Sequence, residues 1–183
     1  MFALNRILVP TNLGEPSRAA LSYGVSFAKK FGAQLYVVHV LSEQEYENAI
    51  ETERVIEELL PEATPAGAPT DGSPSSLAQN AARERLAELL SAEELQETRA
   101  ELIIRANSSG HAGDEIIECI REFDVELVVI GTHRHGFVEE MLARSVTRKV
   151  VRNAPCPVLI VRYPEREFVR PDDPPHKDVD AAN

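Results

Sequence analysis

Cysteine is scarce in this chain: two residues among 183, Cys119 and Cys156, far apart and outside any CxxC or His-rich spacing. That excludes a disulfide framework and a Cys/His zinc site, and it fits a reduced cytoplasmic compartment. Tryptophan is absent and aromatics make up 5% of the residues, while 43% are hydrophobic, the profile of an ordinary globular α/β protein. No stretch approaches the roughly 20 apolar residues of a spanning helix, so no membrane partner is expected. The opening MFALNRILVP has one basic residue and too short an apolar run for a secretory signal. Basic charge is also in deficit, with 19 Lys and Arg against 30 Asp and Glu. The 15 acidic and 4 basic residues from Glu43 to Glu101 carry the whole net charge of -11. Nucleic-acid binding depends on neutralising phosphates, so no nucleic-acid partner is expected; the acidic stretch reads as a solvated helical face.

Catalytic signatures are missing too. There is no G-x-S-x-G elbow, no cysteine beside a base, no P-loop, and no G-x-G-x-x-G after the first strand. His133 and His135 stand two apart without a carboxylate or cysteine cluster, which makes a poor metal site. No catalytic residue, no metal and no enzymatic activity are therefore expected. His39 lies inside an apolar run and reads as a satisfied core histidine; His111 falls in a turn and His176 in the tail.

What is present is alternation. Arg6 to Val9 is a short buried strand stopped by Pro10, and Glu15 to Phe31 has apolar residues at near-helical spacing, with Pro16 in its first turn and Gly32 placed to end it. Gln34 to Leu41 reads as strand two and the acidic stretch Glu43 to Leu60 as helix. Pro61 to Ser76, rich in Pro, Gly, Ala, Ser and Thr, reads as a flexible insertion loop on the surface of a single domain spanning 1–163. Helix resumes from Ser76 to Leu90, and Ser91 with Glu94 forms a capping box for a short helix. Glu101 to Ala106 is strand three, a helix follows from about Gly113 to Phe123, and Glu126 to Ile130 is strand four, broken by Gly131 into a polar loop. After a further helix carrying Arg144, Arg148 and Arg152 at four-residue spacing, Val158 to Arg162 is strand five. Residues 164–183 form a charged, proline-rich, poorly ordered tail.

Five strands alternating with helices predict an open parallel α/β sheet with helices on both faces. Ligands then bind at the carboxyl ends of the strands where strand order reverses, which selects two loops. One is Pro10-Thr11-Asn12. The other begins at Gly131 and includes Gly136 and Ser145-Val146-Thr147, where glycine permits close approach and helix-start amides favour an anion. The last strand, Val158-Leu159-Ile160-Val161, is apolar and β-branched. Left bare at a sheet edge it would aggregate, so pairing with a second copy, hence a homodimer, is expected.

At these residues the chain resembles a single-domain universal stress protein. ILVPTN followed by EPSRAALSYGVSFAKKFGAQLYVVHVL is similar to that family's opening, and GTHRHGFVEEMLARSVTRKVVRNAPCPVLIVR to its closing segment. The resemblance covers Arg6 to Leu41 and about Ala100 to Arg162. It implies a Rossmann-like strand order 3-2-1-4-5, a dimer through the fifth strands, unidentified protein clients, and a role in stress response. ATP-binding members carry a phosphate loop of Gly, two residues, Gly, nine residues, Gly-Ser/Thr. Laid on this chain, that pattern meets Gly131, Arg134, Arg144 and Ser145. The family's adenine-side aspartate falls on Asn12, and the position after the strand-two histidine is Val40. Two glycines have become arginine and the aspartate an amide. A Cβ where backbone must approach phosphate removes close contact, although arginine offers charge-assisted hydrogen bonds. The expectation is a non-enzymatic cytoplasmic homodimer without a tightly held ATP cofactor; the alternative is an ATP/AMP switch with an altered phosphate loop at Pro10, Thr11, Asn12, Val40, Gly131, Arg134, Gly136, Arg144, Ser145 and Val146.

Overall fold

The computed structural model describes residues 4–59, 74–107, 110–133 and 145–163. Among these residues five strands, β1 (Arg6–Thr11), β2 (Gln34–Val40), β3 (Glu101–Arg105), β4 (Leu127–His133) and β5 (Val158–Tyr163), alternate with six helices. These are α1 (Glu15–Phe31), α2 (Glu43–Leu59), α3 (Pro74–Ala87), α4 (Ala92–Glu97), α5 (Ala112–Glu122) and α6 (Val146–Asn153). The strands form one all-parallel sheet in the order β3-β2-β1-β4-β5, the expected fold.

Successive side chains of a strand face opposite sides, and here both sides are covered. Ile7, Val9, Leu35, Val37 and Val129 pack beneath Ala20, Leu21, Val25 and Ala28 of α1, joined by Leu86 of α3. On the other side Leu8, Tyr36, Val38, Val128 and Ile130 meet Ile116, Cys119 and Ile120 of α5 and Val150 of α6. Gly32 ends α1 in the left-handed conformation, φ 66°, with its N–H donating to the Ala28 carbonyl. The Ser91–Glu94 box is present in both directions: Glu94 N–H donates to Ser91 Oγ at 3.2 Å and Ser91 N–H to Glu94 Oε2 at 2.9 Å.

Several boundaries differ from the sequence reading, each for a physical reason. β1 does not stop at Pro10 but continues to Thr11, with Pro10 in register with Val38. Gln34 N–H donates to Asn5 and Glu126 N–H to Arg6. By the alternation of a parallel ladder, odd residues of β1 therefore bond β2 and even residues bond β4. The N–H that proline lacks would face β4, where the registered pairing has already ended at Leu8↔Val128. β4 likewise does not break at Gly131; it runs on to His133, with Gly131 opposite Val161 and His133 opposite Tyr163 on β5. The loop read over Pro61 to Ser76 yields its last residues to α3, which opens on Pro74, a residue suited to a first helical turn. Residues 60–73 and the tail 164–183 lie outside the described residues.

Ser91→Ala removes the acceptor for the Glu94 N–H and is expected to lower stability by about 1 kcal/mol. A denaturant titration checks this: an unchanged midpoint would show that the box contributes nothing.

Candidate functional site

Beyond Leu8 and Val128 the strands β1 and β4 part, and a cleft of about 260 Å³ opens between their carboxyl ends. This is the point where strand order reverses, since β2 and β3 lie to one side of β1, and β4 and β5 to the other. The apolar part of its lining comes from Pro10, Val38, Val40, Ile116 and Ile130. The polar part comes from Thr11, Asn12 and Ser17 beside β1 and from Thr132 and Thr147 on the other wall. Ala112 of α5 and Val146 of α6 also line it, so the first turns of these two helices, with their positive dipole ends, open onto the same space.

The wall at β1 is held by short-range bonds. Leu13, at φ 64°, turns the chain; its N–H donates to Thr11 Oγ1 at 2.9 Å, and Gly14 N–H donates to Asn12 Oδ1 at 3.1 Å. The Thr11 hydroxyl donates to Ser17 Oγ at 2.9 Å, which ties the loop to the start of α1. On the opposite wall Ser145 caps α6 by accepting from the Arg148 N–H at 3.4 Å. Lys149 Nζ reaches Asp114 Oδ2 at 2.5 Å and binds α6 to the first turn of α5. Beneath the loop, His39 is buried, with Nδ1 2.9 Å from the Thr11 carbonyl and Nε2 3.0 Å from Glu45 Oε1. The expected satisfied core histidine is thus also a support of the cleft. Burial pushes the Glu45 carboxyl up, but the Ser42 N–H and hydroxyl, with the His39 ring, hold it below the usual carboxylate range. Burial raises both thiols, Cys119 against the pull of Arg105 and Cys156 largely unopposed, which leaves neither primed as a nucleophile.

Of the residues singled out from sequence, the structure brings Pro10, Thr11, Asn12, Val40, Gly131 and Val146 to one cleft. Ser145 stands at its edge as a helix cap. Arg134, Gly136 and Arg144 lie outside the described residues. Gly131 has a packing role independent of any phosphate: a Cβ there would lie 1.9 Å from the Pro16 carbonyl oxygen and 2.8 Å from Ser17 N. Sequence reasoning missed Pro16, Ser17, Val38, Ala112, Ile116, Ile130 and Thr132 as lining. Ser17, six residues after Thr11, was legible as a hydroxyl in the first turn facing the loop. The others became visible only once the two strands were seen to part.

These features define a doubly wound α/β protein with a cleft at its switch point. The family model of the universal stress protein family matches residues 3–162, and the chain belongs to that family. It is 25% identical over 162 residues to a universal stress protein of Methanocaldococcus jannaschii, covering 88% of this chain and 84% of that one. It is 30% identical over 164 residues to the universal stress protein YxiE of Bacillus subtilis, covering 86% and 99%. Among solved structures, the Archaeoglobus fulgidus universal stress protein in complex with dAMP superposes with a TM-score of 0.52 at 18% identity, over 88% of this chain and 99% of that one. A universal stress protein in complex with cAMP gives 0.51 at 18%, over 87% and 98%.

Gly131→Ala places a methyl against backbone that cannot swing aside, and it is expected to destabilise the fold by about 1–3 kcal/mol. Urea unfolding tests this: an alanine variant as stable as the parent would mean that α1 does not press on β4 as described.

Proposed function

We propose that the chain is a non-enzymatic, cytoplasmic stress-response regulator that acts as a homodimer and does not hold ATP tightly. The occupant its cleft suits is an adenine nucleoside monophosphate. The observation that carries this reading is the cleft itself. It is apolar on one side, hydroxyl-bearing on the other, and faced by the amide ends of α5 and α6. Its volume among the described residues, about 260 Å³, is of the order of a small-molecule site. Relatives of the same fold bound dAMP and cAMP, each with a single phosphate. Arg134 and Arg144, where ATP-binding members carry glycine, trade close backbone approach for charge and bulk. Among the described residues the lining carries no carboxylate, imidazole or thiol. No described helix is long and apolar enough to cross a membrane.

The homodimer reading rests on β5, which ends the sheet. Leu159 and Val161 pack toward α1, so a charge there would damage the fold itself. The exposed backbone is a cleaner probe. Val128 N–H donates to the Pro157 carbonyl, so by alternation the Ile160 N–H points away from β4. Ile160→Pro is expected to leave the monomer folded and abolish the dimer in sedimentation. A parent that sediments as a monomer at micromolar concentration would overturn the pairing.

For the cleft, the protein purified without nucleotide is expected to release no stoichiometric ATP on denaturation. It is expected to show a larger thermal shift with millimolar AMP than with millimolar Mg-ATP. Co-purified ATP, or a larger shift with ATP, would refute the reading.

A further inference from the structure

β5 ends the sheet, and helical geometry sets apolar side chains on both sides of its outer edge. On α1, Ala28 is fully buried, so its chain neighbours Phe27 and Lys29 point about 100° to either flank. Lys29 turns toward α4, on the β3 side, where its Nζ meets Glu97 Oε2 at 2.8 Å. Phe27 therefore turns toward β5. Phe31, one turn on, stands beside it with ring centroids 6.4 Å apart, and is 48% exposed. α6 repeats the arrangement on the opposite face of the sheet. Val150 is fully buried, Lys149 turns to Asp114 of α5, and Val151 turns the other way, toward β5, at 44% exposure. Between these flanks Leu159 packs on the α1 side, Val158 and Ile160 on the α6 side, and all three are only half-buried.

We propose that this three-layered apolar edge is a docking surface for a second copy of the chain, in which Phe27 and Phe31 of α1 and Val151 of α6 close over the paired β5 strands from both faces. The inference rests on the β5 pairing proposed above and names the side chains that hold it. Backbone, charge and area each select a second copy as the occupant. The outward backbone of β5, the Ile160 N–H included, requires a strand, and a strand of the same sequence is self-complementary about a two-fold axis. The 15 acidic and 4 basic residues from Glu43 to Glu101 lie in α2, α3, α4 and the start of β3, at the other end of the sheet, while the rest of the chain is balanced at 15 against 15. Two copies meeting at β5 therefore hold their acidic ends apart; meeting at β3 would bring them together. A ladder between two six-residue strands is roughly 20 Å long and roughly 10 Å thick, about 400 Å² over both copies, against the roughly 1,200 Å² of a stable interface. Phe27, Phe31 and Val151 of each copy stand where the missing area has to come from, and a buried aromatic supplies about 150–250 Å².

The test is sedimentation equilibrium of the full chain without nucleotide, so that it does not depend on the cleft. Phe31→Ser and Val151→Ser alter exposed side chains on opposite faces of the sheet and are expected to leave the far-UV spectrum unchanged. Each is expected to raise the dimer dissociation constant about tenfold or more, with the two effects multiplying in the double variant. Ile50→Ser, an equally exposed change on α2, is expected to leave the constant as it is. In a dimer mixed from labelled and unlabelled copies, isotope-filtered NOEs are expected to run from the Phe31 ring and the Val151 methyls to the other copy. A dimer lost in Ile160→Pro but as tight as the parent in Phe31→Ser and Val151→Ser overturns this inference and leaves the strand pairing standing. A monomeric parent overturns both. NOEs confined to one copy, as when its own segment 164–183 lies over the edge, overturn the choice of occupant.

Discussion

The parting of β1 from β4 is the constraint on which the rest of this molecule depends. A parallel sheet is closed by its ladders, and among the described residues this one opens where the pairing between β1 and β4 ends at Leu8↔Val128. Two residues make the gap compatible with an otherwise continuous sheet. Pro10 has no N–H to direct at β4, so extending β1 beyond Leu8 leaves no donor orphaned there. Gly131 has no side chain, so the first turn of α1 can rest on β4, with the Pro16 carbonyl where a Cβ would stand. The helix start and the strand end together define one wall of the cleft.

The opposite wall follows from the same arrangement. α5 and α6 lie on the second face of the sheet, locked to each other by Lys149 and Asp114, and their first turns reach the gap from below. The cleft thereby combines an apolar surface for a flat ring with amide dipoles suited to an anion. Behind the β1 wall, His39 and Glu45 connect it to α2 and α3, the helices on either side of residues 60–73.

Much of this was legible in the sequence. Short apolar, β-branched runs located all five strands, and Gly32 and the Ser91–Glu94 box marked helix boundaries that the structure reproduces. The motifs PTN and GTHRHG pointed to the two strand ends that flank the cleft. What was not legible has a common cause. A proline or a glycine reads as a stop when its partners are unknown, yet both lie inside strands here, because the direction of the missing N–H and the neighbour above the missing Cβ are tertiary facts. Val38, Ile116 and Ile130 look like ordinary core residues, and only the gap turns them into lining. The role of His39 was half visible: burial could be inferred, but the carbonyl on one side and the carboxylate on the other come from β1 and α2, apart in sequence.

The central claim is that one cleft, opened by the parting of β1 and β4, is where this protein meets its ligand. Its most direct measurement is an NMR titration of the isotopically labelled chain with AMP, mapped residue by residue. Saturating shifts concentrated at Thr11, Asn12, Val40, Gly131, Thr132, Val146 and Thr147 are the predicted result. Shifts scattered elsewhere, or none at millimolar AMP while the protein remains folded, would contradict the account.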